Sequence, residues 1–241
     1  MSGNDDLRWK LSRDGANAPA DTARRDYDEA RAEMVEKQLC RRGLHDARVL
    51  EAMRAVPRHE FVPAEFRGRA YEDAPVPIGE GQTISQPYIV AAMTAALRLT
   101  GKERVLEIGA GSGYQAAVLG SLAREVFTIE SRPELATSAA ERVARLGYAN
   151  VHVHCGDGTL GLPEFAPFDA ILVAAASPAT PAPLLAQLAD GGRMVIPVGS
   201  VENQELQLVE RVSDKIRITT LEPCRFVPLV GAHGWKESPP R

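Results

Sequence analysis

The stretch from Val105 to Tyr114, VLEIGAGSGY, decides the fold class of this chain of 241 residues. It begins with the mostly apolar pattern of a short buried strand, and glycines at alternate positions then lead into a helical pattern. Glycine lets the backbone turn sharply and approach a ligand closely, because it has no Cβ. The stretch therefore predicts a strand, a ligand-binding turn and a helix in succession.

The spacing of the glycines indicates which ligand this glycine turn (residues 109–113) binds. Gly109, Gly111 and Gly113 form G-x-G-x-G, which lacks the wider second gap of the dinucleotide-binding fingerprint. Glu107 stands just before the turn, where a carboxylate would repel a pyrophosphate but accommodate the ammonium and sulfonium groups of S-adenosylmethionine. The turn therefore favours S-adenosylmethionine over NAD as the cofactor.

Short β-branched runs alternate with longer helical stretches on the C-terminal side of the turn, and two alternating runs follow them. This order predicts an α/β fold, a Rossmann-like, doubly wound sheet with N-terminal helices and a C-terminal antiparallel hairpin. Together with the glycine turn, it is of the class I S-adenosylmethionine-dependent methyltransferase type. The predicted strands are Arg104–Ile108, Glu125–Ile129, Val151–His154, Ala170–Val173 and Arg193–Val198, and those of the hairpin are Glu205–Val212 and Lys215–Leu221.

Two further carboxylates follow the next predicted strands. Glu130 comes about twenty residues after the glycines, where a carboxylate can accept both ribose hydroxyls, and Asp157 with Gly158 follows the third strand, beside the expected adenine. Each acid also has a structural interpretation: Glu107 as a strand-end charge, Glu130 as a neighbour of a helix N-cap, and Asp157 as a turn former. Their joint spacing after three successive strands favours the cofactor interpretation.

Composition and periodicity divide the chain into three segments. Residues 1–26 carry few large apolar side chains, and we predict a disordered tail there. Residues 27–100 are predicted to hold the N-terminal helices and a substrate loop, because the prolines and glycines from Ala74 to Pro87 favour an irregular loop over a regular element. Residues 101–241 are predicted to form the cofactor-binding α/β core with its C-terminal extension. We expect one compact domain from residue 27 onward.

Bulk composition argues against several classes of protein. The formal net charge of −4 and the lack of a basic block disfavour nucleic acid as a partner. Three widely spaced cysteines suit free thiols in a reducing compartment, which predicts a cytoplasmic location. The longest apolar stretch, Ala170–Ala176, is too short to cross a bilayer. His152 and His154 share a strand face without further ligands nearby in sequence, so no metal site is predicted.

Several blocks of the sequence resemble one family, protein-L-isoaspartate O-methyltransferase, from about Met34 to Gly231. The most specific are QTIS at Gln82–Ser85 and FVPL at Phe226–Leu229, whereas the glycine turn alone indicates only a methyltransferase. Further similar blocks are VPRHEFVP at 56–63, PIGEGQTISQP at 77–87, FDAI at 168–171 and LADGGRMVIPVG at 188–199.

The resemblance implies an S-adenosylmethionine-dependent protein carboxyl O-methyltransferase that esterifies the α-carboxylate of L-isoaspartyl residues in damaged proteins and peptides. The ester would then collapse to a succinimide, which initiates repair. By the same resemblance, Ser85 is the catalytic serine, Thr83 and Ile84 line the substrate cleft with it, and the glycine turn, Glu130 and Asp157 hold the cofactor. We expect a monomer that binds no membrane.

The implied acceptor requires little chemistry from the protein. The α-carboxylate of an isoaspartyl residue has an ordinary pKa of roughly 3.5, so it is an anionic nucleophile at neutral pH and needs no general base. Ser85 can align it by donating one hydrogen bond to a carboxylate oxygen. Composition alone would make Ser85 a helix N-cap, and the surrounding block reverses that preference. His59 is interpreted as a structural partner rather than a base.

Two departures from the family pattern leave other functions open. Thr159 stands where many members have Trp after Gly-Asp-Gly, which bears on packing beside the adenine. Ala174 stands where many have Thr after the fourth strand, which removes a hydroxyl near the cofactor or substrate. The alternatives are a related carboxyl methyltransferase acting on normal aspartate or a small acid, and a non-catalytic S-adenosylmethionine-binding module.

Overall fold

The computed structural model describes residues 18–236 of the chain. Within them, helices and strands follow one another in the order expected of an α/β fold. The helices are α1 (Ala18–Met34), α2 (Ala47–Ala55), α3 (Pro87–Ala96), α4 (Tyr114–Gly120), α5 (Pro133–Arg145) and α6 (Ala182–Gln187). The strands are β1 (Val76–Gly79), β2 (Gln82–Ile84), β3 (Arg104–Ile108), β4 (Glu125–Glu130), β5 (Val151–Cys155), β6 (Phe168–Val173), β7 (Leu188–Gly199), β8 (Gln204–Val212) and β9 (Lys215–Cys224).

The last seven strands form one sheet in the order β5-β4-β3-β6-β7-β8-β9. Strands β3 to β7 pair in parallel, and β8 and β9 add an antiparallel hairpin at one edge. The chain leaves β3 toward one edge and later returns to its other side, and sheets of this kind bind ligands at the carboxyl ends of the strands beside such a switch point. The glycine turn follows β3 directly. The predicted Rossmann-like sheet with its C-terminal hairpin is confirmed.

Strands β6 and β7 begin earlier in the chain than the sequence pattern predicts. Phe168 pairs with Leu188, and a register shift separates this pair from the regular ladder that starts at Ala170 and Arg193. The skipped part of β7 contains two glycines and an aspartate, residue types that are depleted in strands. A search for β-branched runs therefore finds only the second part of this strand.

The expectation of an irregular loop over Ala74–Pro87 is wrong in part. Strands β1 and β2 pair as an antiparallel two-stranded ribbon, in which Pro77 lies opposite Thr83. The turn between them places Glu80 at a φ of 51° between two glycines that also have positive φ. Proline is tolerated in a two-stranded ribbon because each strand has an unpaired edge. The glycines and prolines thus mark the turn and the edges of a hairpin.

The N-terminal helices share the apolar core of the sheet. Buried side chains that include Met53 and Phe61 pack in one cluster with residues of β3 and α4. Helix α1 begins at Ala18, ahead of the start expected from the apolar spacing. The tail predicted over residues 1–26 therefore overlaps α1, and the part of it in residues 1–17 lies outside the described residues.

Three further observations concern membranes, metals and disulfides. Across residues 18–236, no helix combines the length and apolar character needed to cross a membrane. In the same part of the chain, no three His, Cys, Asp or Glu side chains come together as metal ligands. Cys40, Cys155 and Cys224 are free cysteines.

Candidate active site

A cleft of about 390 Å³ lies between the end of β2 and the glycine turn. Thr83, Ile84 and Ser85, the residues expected to contact the substrate, line it together with Gly111 of the glycine turn. The structure therefore places the predicted substrate residues beside the glycine turn. The other lining residues are Val90, Met93, Ala110, Ser112, Tyr114, Gln115, Ala174 and Phe226.

The remaining residues expected to hold the cofactor do not line this cleft. Glu107 lies on β3 below the glycine turn, Glu130 ends the neighbouring strand β4, and Asp157 follows β5, one strand further on. All three thus stand at the carboxyl ends of consecutive strands in the sheet, as their spacing predicts. The residues in this group are Glu107, Gly109, Gly113, Glu130, Asp157 and Gly158.

The conformation of the glycine turn depends on glycine at three positions. Gly109, Gly111 and Gly113 have φ values of 93°, 51° and 85°, which L side chains rarely adopt. The Gly109 amide donates to the Ile129 carbonyl at 2.8 Å, and the Gly111 amide donates to the Glu130 carboxylate at 2.9 Å. These amides are already bonded within the protein, so they are not available to a phosphate. The turn suits a cofactor without phosphate groups.

Glu130 has its carboxylate folded back onto backbone amides. One oxygen accepts from Gly111 at 2.9 Å, and the other accepts from the Arg132 amide at 3.1 Å. The residue is only 6% exposed, so these bonds hold it in a defined position beside the turn. The oxygen bonded to Gly111 keeps a second lone pair, which can accept from a ligand hydroxyl.

Glu107 is the ionisable group of the site with the most unusual environment. The residue is fully buried, its Oε2 accepts a hydrogen bond of 2.5 Å from the Thr128 hydroxyl, and its Oε1 has no partner within the described part of the chain. Burial raises the pKa of Glu107 to about 8. The charge of Glu130 adds to this rise, and the hydrogen bond from Thr128 opposes it. An unpartnered buried carboxylate oxygen fits a ligand that brings a positive charge.

Asp157 is bonded to the C-terminal strap (residues 225–236). Its Oδ1 accepts from the amide and the hydroxyl of Thr159 at 2.8 and 2.7 Å, and its Oδ2 accepts from the Ala232 amide at 2.8 Å. Burial alone would raise the pKa of Asp157, but these hydrogen bonds outweigh burial and lower it. The carboxylate therefore fastens the strap to the loop after β5, and a contact with adenine stays a prediction.

The two departures from the family pattern take different places in the structure. Thr159 is fully buried, and its hydroxyl accepts from the His233 amide at 3.1 Å, so it links the loop after β5 to the strap. Ala174 lines the cleft itself. Gly158 requires glycine for packing, because a Cβ there would lie 2.6 Å from the side chain of Ile108. Thr159 thus supplies hydrogen bonds at a position where many members have an aromatic ring.

Ser85 does not cap helix α3, and the N-cap interpretation is wrong. The helix begins at Pro87, and its N-cap is Gln86, which makes no side-chain capping bond. The carbonyl of Ser85 accepts a hydrogen bond from Nη2 of Arg58 at 2.7 Å. Its hydroxyl has no hydrogen-bond partner among residues 18–236 and lines the cleft, where it is available to a ligand.

Sequence reasoning missed three residues of this site. Arg58 was named only as part of a block, although it bonds to Ser85. Gln115 lines the cleft and donates to the Thr94 hydroxyl at 2.9 Å, and Phe226 closes the cleft from the strap. The one available signal was an arginine that directly follows the apolar Val56-Pro57 pair, since a charge next to a buried segment needs partners.

The histidines lie away from the cleft in contacts typical of structural residues. The His59 ring stacks on Tyr27 with centroids 4.1 Å apart, and its Nδ1 lies 2.7 Å from the Tyr71 hydroxyl. Burial lowers the pKa of His59, which favours the neutral ring. His152 and His154 both pack against the ring of Phe127, with centroids 5.1 and 6.2 Å apart.

The parallel sheet, the glycine turn with its strand-end acids and the adjoining cleft define a class I S-adenosylmethionine-dependent methyltransferase. Comparison with known proteins gives the family. Residues 29–234 match the model of the protein-L-isoaspartate(D-aspartate) O-methyltransferase family. The chain belongs to this family.

Individual relatives support the assignment. A protein-L-isoaspartate O-methyltransferase of Marinobacter nauticus is 58% identical to the chain over 212 residues, which are 87% of this chain and 97% of the relative. A solved protein-L-isoaspartate O-methyltransferase is 30% identical, with a TM-score of 0.77 over 85% of this chain and 67% of the other. A Plasmodium falciparum protein-L-isoaspartate O-methyltransferase, solved with S-adenosyl-L-homocysteine, is 25% identical, with a TM-score of 0.73 over 83% of this chain and 98% of the other.

Proposed function

We propose that this chain transfers a methyl group from S-adenosylmethionine to the α-carboxylate of L-isoaspartyl residues in damaged proteins and peptides. The ester then collapses to a succinimide, which initiates repair. The observation that carries the proposal is a cleft lined both by Ser85, whose hydroxyl has no partner among the described residues, and by the glycine turn. Family membership supports the same substrate class.

The residues of the cofactor side fit a cationic nucleoside ligand. S-adenosylmethionine, when bound, supplies a methyl group activated by a sulfonium. Gly109, Gly111 and Gly113 would allow its close approach, and Glu130 would accept from the ribose hydroxyls with its remaining lone pair. Glu107 brings a buried carboxylate with one unpartnered oxygen, which a neighbouring positive charge would stabilise in its ionised form. We assign Asp157 and Gly158 to the adenine side of the same ligand.

The residues of the substrate side align a nucleophile that is already ionised. Ser85 would donate its hydroxyl hydrogen to one oxygen of the isoaspartyl carboxylate, while Thr83 and Ile84 line the wall beside it. Methyl transfer is an in-line displacement, so the protein contributes mainly by holding the carboxylate oxygen in line with the methyl carbon and the sulfur. A general base is not required, because the carboxylate has an ordinary pKa of roughly 3.5.

Methyl transfer from labelled S-adenosylmethionine to an isoaspartyl peptide tests the proposed function. The matched control is the same peptide with a normal aspartyl residue. We expect label in the isoaspartyl peptide alone, released by mild base as expected for a methyl ester. Equal labelling of the two peptides would favour the normal-aspartate alternative. A protein that binds S-adenosylhomocysteine tightly but labels neither peptide would be the non-catalytic module.

We further infer a cytoplasmic monomer that acts without nucleic acid or membrane. Three free cysteines and a formal net charge of −4 support this inference. Light scattering coupled to gel filtration should give the mass of one chain, and cell fractionation should place the protein with the cytoplasm. A dimer mass, or recovery with membranes, would contradict it.

A further inference from the structure

Arg58 is a fully buried cation directly behind the substrate wall of the cleft. Its Nε donates to the Ala70 carbonyl and its Nη2 donates to the Ser85 carbonyl, each at 2.7 Å. Burying a guanidinium is costly unless it is bonded to acceptors, and hydrogen bonds from an ionised donor are among the strongest in proteins. The main chain of Ser85 is therefore held by one strong contact from a residue outside the β1–β2 ribbon that it follows.

The same guanidinium also touches the cofactor side of the cleft. Its Cζ lies over the ring of Tyr114, 4.8 Å from the centroid. Tyr114 is the first residue of α4 and follows the glycine turn directly, so its ring cannot move far without moving that turn. Arg58 thus joins the Ser85 backbone on one wall to the residue after the glycine turn on the other.

We propose that Arg58 is a positioning residue that fixes Ser85 opposite the glycine turn and thereby sets the rate of methyl transfer. The inference rests on the proposed function, in which Ser85 aligns the carboxylate that attacks the methyl group. Displacement reactions depend steeply on alignment, and misplacement by about 1 Å can lower the rate about a hundredfold. Arg58 itself is buried behind the wall and contacts neither reactant.

A lysine does not replace this arginine. The planar guanidinium donates to two carbonyls in fixed directions and lies over the Tyr114 ring, whereas a lysine ammonium is a point charge on a flexible stem. Arg58→Lys therefore keeps the positive charge behind Ser85 but loses the fork that orients it. The pair of variants Arg58→Lys and Arg58→Met separates positioning from a simple effect of charge.

The experiment compares turnover of an isoaspartyl peptide with cofactor affinity, at a temperature well below the unfolding midpoint of each variant. We expect Arg58→Met and Arg58→Lys each to lower kcat about fivefold to tenfold, no more than Ser85→Ala does, while the Kd for S-adenosylhomocysteine stays within about twofold. The control is Arg48→Met. Arg48 also joins two carbonyls, those of Leu99 and Leu122, but lies away from the cleft, and its removal should leave kcat unchanged.

A double-mutant cycle with Ser85→Ala shows whether Arg58 acts through Ser85. In the Ser85→Ala background, Arg58→Met should lower kcat by no more than about threefold, because the group that it positions is gone. Full turnover in Arg58→Lys, or equal effects of Arg58→Met with and without Ser85, would overturn the proposal. If the wild type labels the normal aspartyl peptide instead, the proposed function fails, and the same cycle is measured with that peptide.

Discussion

The two sides of the proposed site are the cofactor wall, which is the glycine turn with Glu107 and Glu130, and the substrate wall, which is Thr83–Ser85, and they are held in place by different means. On the cofactor wall, register alone brings the partners together: Glu107 lies opposite Thr128 in the parallel pair of β3 and β4, and the two side chains are bonded. On the substrate wall, Ser85 lies outside the large sheet, and its backbone is held by the single buried cation Arg58. The cofactor wall is thus held by the register of the large sheet, whereas Ser85, which follows the β1–β2 ribbon, depends on one buried side chain.

The largest effect is expected at Glu107, within the cofactor wall. Its pKa is raised from 4.5 to about 8, so between these pH values the unfolded chain releases a proton that the folded protein keeps. The free energy of unfolding should therefore fall as the pH rises from about 5 to about 8, by roughly 4 kcal/mol, and level off above that. Glu107→Gln should remove this dependence, which urea unfolding at several pH values measures.

Saturating S-adenosylmethionine provides the matching test on the wild type. A cation bound near Glu107 would favour its ionised form, so the fall in stability with pH should become smaller. An identical pH dependence in the wild type and in Glu107→Gln would show that the buried carboxyl does not titrate in this range.

The second effect, in order of size, is expected at Glu130. Glu130→Ala removes the hydrogen bonds from the amides of Gly111 and Arg132. It also removes the acceptor proposed for the ribose hydroxyls, so the Kd for S-adenosylhomocysteine should rise about a hundredfold. Calorimetric titration measures it. Glu125→Ala, at the opposite end of β4, serves as the control and should leave the Kd unchanged. An unchanged Kd in Glu130→Ala would remove this residue from the cofactor wall.

Ser85→Ala should affect the substrate wall alone. Loss of one hydrogen bond to a charged group should lower kcat about tenfold, while the Kd for S-adenosylhomocysteine stays within about twofold. Steady-state kinetics with an isoaspartyl peptide and a binding titration check the two halves of this prediction. A large loss of cofactor affinity would place Ser85 on the other wall.

The smallest effect is expected where the strap meets the loop after β5. Thr159→Val keeps the shape of the side chain but removes the hydroxyl that bonds to Asp157 and His233, which should lower the free energy of unfolding by about 1 kcal/mol. The Kd for S-adenosylhomocysteine should rise about threefold if the strap belongs to the cofactor wall. No change in Kd would show that the bonds between Thr159 and the strap are purely structural.

The cofactor half of the site could be predicted from the sequence because its signals are local. A buried parallel strand is a short apolar run, and the turn after it needs glycine, so β3 has the limits expected from Arg104–Ile108. Glu130 and Asp157 follow from the same rule applied to the next two strands. Parallel pairing then places the carboxyl ends of these strands side by side at the same end of the sheet.

The contacts that hold the substrate half could not be predicted in this way. Arg58 is 27 positions from Ser85 and bonds to its carbonyl, a group that every residue carries, so neither periodicity nor residue type indicates the pairing. The bond from the Ala232 amide to Asp157, 75 positions apart, could not be predicted either, because every residue except proline carries a backbone amide. Side-chain bonds to distant backbone depend on how loops pack, which only the folded structure determines.

The strap has a consequence for the order in which the protein becomes complete. The ribosome makes all seven strands of the large sheet before it makes Ala232 and His233, the residues that bond to Asp157 and Thr159. The two bonds join residues 75 and 74 positions apart, and such long-range contacts cost more loop-closure entropy than the pairing of neighbouring strands. Contacts of this kind are among the most costly in loop-closure entropy, so we expect the loop after β5 to acquire its last partners after the sheet that carries it has formed.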